Sequence, residues 1–336
     1  MNTTIKTEMD ALIENFIDQL QEAKLIGDKI NLSAPKSEIR NVVISGLGGS
    51  GIGGNMTYEF CKSEIQIPIQ VNKAYFVPNY VNEHSLVIIS SYSGNTEETL
   101  SALEDAHQKG AHIICISSGG KVIDFAKVNG IDHIIVPGGM PPRSCLGYSL
   151  VQQLYIMNRL GLVSGLPLEN LNAAIQLLKN EQENIKVEAR NYAKQMAGKK
   201  AVLYINAWME PVAIRWRQQI NENAKSLCWH HVIPEMNHNE LVGWTNKEDD
   251  LFVIFLRNDN DYERIQHRME INKSVIKECA GNVVDIYSKG ISHIEKALYF
   301  THLGDWISYF IAQEKGIDSV EVEAIDYLKS ELEKRC

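Results

Sequence analysis

Apolar positions along the chain follow two alternating rhythms. Met9, Leu12, Ile13, Phe16, Ile17 and Leu20 recur at three- and four-residue steps, the stripe of an amphipathic helix, and predict a helix over 3–28. Short apolar runs then alternate with helical patterns. Strands are predicted over 41–47, 65–71, 86–90, 112–117 and 133–136, with helices over 52–61, 97–109 and 122–128. Continuous apolar runs, separated by helices rather than by hairpin turns, belong to a parallel sheet covered on both faces.

The glycine- and proline-bearing stretch 161–167 interrupts this order, and a long polar helix follows over 168–195. The alternation then restarts. Strands are predicted over 201–206, 251–256 and 283–286, and helices over 210–224, 262–279, 291–312 and 320–332. The fold class is α/β, with two doubly wound parallel-sheet domains and flanking helices, the first over 1–165 and the second over 166–336. The halves are alike in kind, but no sequence repeat is strong enough to signal duplication, and no segment is of low complexity.

Length and composition narrow the function classes. A chain of 336 residues fits two ordinary α/β domains, and its 44% apolar and 22% charged residues exclude disorder as the main state. The 33 basic and 42 acidic residues give a net charge of −9, which argues against nucleic acid as a partner. A small anion remains open, because a local pocket can hold a phosphate inside an acidic protein. No apolar run approaches a membrane span, and the N-terminal MNTTIKTEMDALIENF has no apolar core of a signal peptide. The six cysteines are scattered without a C-x-x-C pair, so reduced thiols in the cytoplasm are expected, with no metal and no cofactor.

Two loops carry candidate chemistry. Gly46-Leu-Gly48-Gly49-Ser50-Gly51-Ile52-Gly53-Gly54 follows a predicted strand and opens a helix. It contains G-x-G-x-x-G, but the next strand, ending at Asn72, lacks the acid that a dinucleotide ribose requires. What remains is either a tight packing turn or a site where a ligand approaches backbone N–H groups closely. The second loop, Ser90-Ser91-Tyr92-Ser93-Gly94-Asn95-Thr96-Glu97-Glu98-Thr99, also joins a strand to a helix. Ser91, Ser93 and Thr96 place hydroxyls where free N–H groups and the helix dipole favour an anion. Plain N-capping by Thr96 is the rival for that loop taken alone. Two such loops at the C-terminal ends of parallel strands favour phosphate.

The pair GLGGSG and SSYSGNTEET resembles the sugar isomerase domain family, whose members bind phosphosugars. Gly138-Gly-Met-Pro-Pro-Arg143-Ser, Asn221-Glu222-Asn-Ala-Lys225, Pro234-Glu-Met-Asn-His238-Asn-Glu240 and Glu323-Ala-Ile-Asp-Tyr-Leu-Lys329 follow in the order of the bifunctional phosphoglucose/phosphomannose isomerases, a resemblance over about 40–332. It implies two doubly wound domains of the sugar isomerase type, usually in a homodimer with shared active sites, and interconversion of glucose 6-phosphate and mannose 6-phosphate with fructose 6-phosphate. A non-catalytic phosphosugar sensor is the alternative, and the presence of Glu222 and His238 argues against it.

Such isomerisation moves a proton between C1 and C2 through an enediol, which requires a base, and a carboxylate suits that task when its environment tunes it. The resemblance implies that Glu222 is that base and that His238, in a polar turn expected between a helix and a strand, opens the sugar ring. A histidine suits such proton shuttling. Arg143 is implied to contact the sugar oxygens, where a fixed guanidinium stabilises the enediolate, and Lys329 the ring oxygen or O5. Gly49, Ser50, Ser91, Ser93 and Thr96 are the implied phosphate ligands. The surface readings for Arg143 and Lys329 stay open on the residues alone. His230 and His231, after Trp229, read as packing, and Glu235 and Glu240 as residues that hold the loop. Bifunctional relatives carry a threonine in the segment before the lysine. This chain has Ser319-Val-Glu-Val-Glu323 there, with Ser319 the nearest hydroxyl.

Overall fold

The computed structural model describes residues 9–335. The N-terminal helical stripe is split at Asn15 into α1 (Met9–Glu14) and α2 (Phe16–Gly27), and the part of the expected helix before Met9 lies outside the described residues. There follow β1 (Asn41–Ser45), α3 (Gly48–Cys61), β2 (Ile69–Asn72), β3 (Ser85–Ser90), α4 (Glu97–Gln108), β4 (His112–Ser117), α5 (Gly120–Val128), β5 (Asp132–Ile135) and α6 (Leu146–Arg159). The long polar helix is α7 (Leu166–Met196). Beyond it lie β6 (Lys200–Asn206), α8 (Glu210–Ala224), β7 (Cys228–Ile233), β8 (Glu248–Arg257), α9 (Glu263–Ile276), β9 (Ala280–Tyr287), α10 (His293–Lys315) and α11 (Glu323–Glu333).

The chain forms two compact units. Among the described residues, one takes Asn15–Asn180 and Gly290–Leu298; the other takes Met9–Glu14, Glu181–Lys289 and Tyr299–Arg335. The sequence boundary at 165/166 falls at the start of α7, whereas the units divide that helix after Asn180.

The first unit is built on a parallel sheet of order β2-β1-β3-β4-β5. β3 is buried at every position, as its unbroken apolar run requires. Val43, Val87, Ile89, Leu103, Ile113 and Val122 form part of one core between this sheet and its helices. The second unit repeats the plan with order β7-β6-β8-β9, also parallel throughout. In the first sheet the order reverses between β1 and β3, and the crevice where connections leave in opposite directions is where open α/β sheets bind ligands.

Two elements have no counterpart in the hydrophobic pattern. α6 is buried from Leu146 through Met157, and that buried stretch includes the polar Ser149, Gln152 and Gln153, so its burial does not follow the apolar pattern. β7 reads Cys-Trp-His-His-Val-Ile, and its two histidines interrupt the apolar run that marks a buried strand. The turn carrying His238 consequently lies between two strands, β7 and β8, and not between a helix and a strand.

Candidate functional site

The loops after β1 and β3 meet at the switch point of the first sheet. Register places Ser45 beside Ile89, so the residues that follow emerge side by side. The Tyr92 amide donates to Ser50 Oγ at 3.2 Å, joining the two loops directly. Ser91 Oγ donates to Thr96 Oγ1 at 3.1 Å. Thr96 is the N-cap residue of α4 in extended conformation, yet its side chain makes no capping hydrogen bond. The capping rival therefore does not account for this threonine. Ser93 is exposed, and its Oγ accepts from the Asn95 amide at 3.3 Å, so it shapes the turn.

Glycine is needed at two places here. Gly94 has φ +68°, and a Cβ there would lie 1.8 Å from the Gly119 carbonyl oxygen. Gly49, in the first turn of α3, lies against the Arg143 turn: a Cβ there would sit 2.6 Å from the Pro142 carbonyl oxygen. Arg143 is buried within a short 3₁₀ turn, Pro142–Ser144. α2 fixes that turn through Gln19, which donates to the Ser144 carbonyl and accepts from the Gly147 amide, both at 2.7 Å. Gly49, Ser50, Ser91, Thr96 and the Arg143 turn thus form one cluster within the first unit. Tyr92, unassigned by the motifs, is its keystone: its carbonyl accepts from Ser118 Oγ at 2.7 Å and its hydroxyl from the Met140 amide at 3.3 Å. Burial, with a hydrogen bond to Cys145, holds its phenol above the ordinary pKa, so it stays neutral.

The residue ending β2, where a dinucleotide site would place its acid, is Asn72, whose side chain donates to Ser45 Oγ and the Ala74 carbonyl. At the corresponding strand ends of the second sheet, the Asp261 carboxylate accepts from Asn206 Nδ2 at 2.8 Å and Asn258 Nδ2 at 3.1 Å.

The remaining candidates lie in the second unit. Glu222 is half-buried in the last turn of α8. α8 is bolted to α10 by a two-pronged Arg215–Asp305 pair at 3.0 and 2.8 Å, by Trp216 Nε1 on the Phe300 carbonyl, and by Asn223 Nδ2 on Ser308 Oγ. Its C-terminal end is held by two lysines. Lys225 donates to the Glu222 and Glu321 carbonyls, both at 2.6 Å, and Lys315 to the Ala224 carbonyl at 2.7 Å. Lys225 belongs to the Asn-Glu-Asn-Ala-Lys motif but had no role on sequence grounds; only the fold brings it and Glu321 together.

His238 is exposed at the end of a 3₁₀ turn anchored by buried Met236 and by Asn237, which donates to Asn272 Oδ1 at 2.7 Å. Glu240 accepts the Tyr204 hydroxyl, and Glu235 accepts from Asn239 Nδ2 at 2.9 Å, so both carboxylates hold the loop. His230 faces Glu210 at 3.5 Å, and His231 Nδ1 accepts from the Val232 amide. Lys329 stands exposed on α11, 3.9 Å from Asp326, and Ser319 is fully buried in the connection before that helix. Among the described residues no group of three or more His, Cys, Asp or Glu is arranged to hold a metal ion.

Residues 185–332 match the family model described as the bacterial phospho-glucose isomerase C-terminal SIS domain. A bifunctional phosphoglucose/phosphomannose isomerase from Caldicellulosiruptor bescii is 40% identical over 331 residues, covering 95% of this chain and 97% of the relative. The chain belongs to the bifunctional phosphoglucose/phosphomannose isomerase family. Its relative of the same description from Aquifex aeolicus is 33% identical, with 98% of this chain and 99% of that one covered. The family fold extends to more distant proteins. The C-terminal domain of glucosamine-fructose-6-phosphate aminotransferase from Francisella tularensis superposes with a TM-score of 0.76 at 16% identity, over 94% of this chain and 98% of that one. For this family member, motif residues gather at the switch-point cluster of the first unit, whereas in the second unit Glu222, in the last turn of α8, lies before the start of β7 and His238 beyond its end, so the length of that strand separates them.

Proposed function

We propose that the chain interconverts glucose 6-phosphate and mannose 6-phosphate with fructose 6-phosphate. The observation that carries this reading is the Ser50–Ser91–Thr96 cluster at the first switch point, where Thr96 stands at a helix N-terminus without capping it. Hydroxyls, free N–H groups and the positive helix end suit a phosphate monoester. Gly49, Ser50, Ser91 and Thr96 bind the phosphate, and Ser93 keeps the loop in shape. His238 moves a proton from the anomeric hydroxyl to the ring oxygen, which opens the sugar. Glu222 then takes the C2 proton of the aldose and returns it to C1 while the O2 hydroxyl proton passes to O1, and Arg143 stabilises the enediolate oxygens. Lys329 steadies O5. Glucose and mannose phosphates differ only at C2 and give the same enediol, so one base serves both when the C2–C3 bond rotates.

The working unit is a homodimer in which His238 reaches the phosphosugar of the neighbouring chain. Its exposure, with Val242 81% exposed and Trp229 39% exposed nearby in sequence, supports a turn made for docking. A cytoplasmic setting is supported by Cys61, Cys115, Cys145, Cys228 and Cys279, all buried and outside any disulfide, with the Cys61, Cys115 and Cys228 thiols pushed by burial up to about 12. A coupled assay starting from fructose 6-phosphate and scored for both aldoses tests the function. Formation of both supports it; binding without turnover would instead give the sensor reading.

A further inference from the structure

We infer that Lys225 is a positioning residue for the isomerisation, a strap that holds the base-bearing turn of α8 to the segment leading into α11. The inference rests on the assignment of Glu222 as the base.

Three observations carry it. First, Lys225 is the one non-glycine residue with positive φ among the described residues, at φ 48° and ψ 41°. This left-handed conformation is unfavourable for a side chain with a Cβ, and helices usually place glycine there. Second, the conformation folds the long side chain back over its own helix end. The ammonium donates to the Glu222 carbonyl, one of the last four of α8 that have no partner within the helix, and to the Glu321 carbonyl, both at 2.6 Å. It also lies 3.7 Å from the Glu321 carboxylate. Third, the general task of capping this helix end is already served. Lys315 donates to the Ala224 and Lys225 carbonyls and to Ser226 Oγ, while the Lys225 amide donates to the Ile220 carbonyl. A glycine with the same backbone would complete that cap without strain. What only a lysine supplies is the bridge between the residue that carries the base and the segment before Lys329.

The bridge acts on the reaction by fixing the backbone from which the Glu222 carboxylate projects. A base must lie within hydrogen-bond reach of the carbon-bound proton, and small misplacements cost about a hundredfold in rate. Phosphate is held elsewhere, so loss of the strap acts on turnover and spares affinity.

Four variants measured together test this: Lys225→Gly, Lys225→Met, Lys315→Met and Glu222→Gln, each for thermal midpoint, kcat and KM with fructose 6-phosphate. Lys225→Gly relieves the backbone, so its midpoint should equal or exceed that of the wild type while kcat falls about 10- to 100-fold. KM should stay within about threefold, because phosphate contacts are untouched. Lys225→Met keeps the strained backbone without the charge and should lose kcat similarly at a lower midpoint. Lys315→Met should lower the midpoint and keep kcat within about twofold of wild type. The strap is overturned if either Lys225 variant keeps wild-type kcat while Glu222→Gln is inactive. It is equally overturned if Lys315→Met loses kcat as the Lys225 variants do, or if Lys225→Gly is less stable than Lys225→Met. An active Glu222→Gln variant would remove the base assignment itself, and the strap with it.

Discussion

Replacing Ser91 or Thr96 by alanine separates phosphate binding from helix capping. Ser91 is 2% exposed and its Oγ lies 3.1 Å from Thr96 Oγ1, so the two hydroxyls act as a unit aimed at the helix end. A hydrogen bond to a charged group contributes about 1.5–3 kcal/mol. At about 1.4 kcal/mol per factor of ten, each substitution should weaken phosphosugar binding roughly 10- to 150-fold. Folding stability should fall by about 0.5–1.5 kcal/mol in Thr96→Ala, because the change removes the acceptor of the buried Ser91 hydroxyl although it removes no capping bond. If Thr96 were only a structural cap, the same change would cost about 1 kcal/mol of stability and leave the affinity unchanged. Titration calorimetry with sorbitol 6-phosphate, which has no carbonyl to isomerise, reads the affinity, and urea denaturation reads the stability. Unchanged affinity in both variants, with a stability loss in Thr96→Ala, would refute the phosphate assignment.

Mixing inactive Glu222→Gln and His238→Ala proteins under subunit exchange should restore about a quarter of wild-type activity, since half the dimers are mixed and each carries one intact site; no recovery, with exchange confirmed by mass spectrometry, would reject the shared site. Asp305→Ala strands the buried Arg215 guanidinium and should cost about 3–5 kcal/mol in urea denaturation, whereas a loss below about 1 kcal/mol would show that the pair does not hold α8 to α10. His302 is fully buried, and burial, aided by the Lys186 charge, pushes its imidazole down to about 3. The unfolded chain takes up that proton below about 6.5, so stability falls as pH drops from there towards 3, by up to ~1.4 kcal/mol per pH unit. His302→Gln should flatten that slope between pH 7 and 5, and parallel slopes would contradict it.

How much of this was legible in the sequence depended on the kind of order each part uses. The strands at 86–90 and 112–117 were legible because central parallel strands are apolar on both faces. α8 spans Glu210–Ala224, the range its pattern predicts, because Ala213, Trp216, Ile220 and Ala224 recur at three- and four-residue steps. α6 was not legible as a core helix, because its buried Ser149, Gln152 and Gln153 interrupt the apolar positions that local rules read as core. The phosphate cluster announced itself through local composition, with hydroxyls and glycine at a strand–helix junction. The joining of Ser50 to Tyr92, of Gln19 to the Arg143 turn and of Lys225 to Glu321 did not, because each depends on long-range pairing that no local rule encodes. The same limit leaves capping open as the rival for Thr96 on its own loop, whereas the folded chain turns its side chain to Ser91.

The central claim is that Glu222 carries the proton between C1 and C2. Exchange of the C1 proton of fructose 6-phosphate for deuterium, followed by NMR in heavy water, reports that step alone. Glu222→Gln should slow the exchange about 10²- to 10⁴-fold with phosphosugar affinity unchanged. Exchange at close to the wild-type rate in the folded variant would contradict the account.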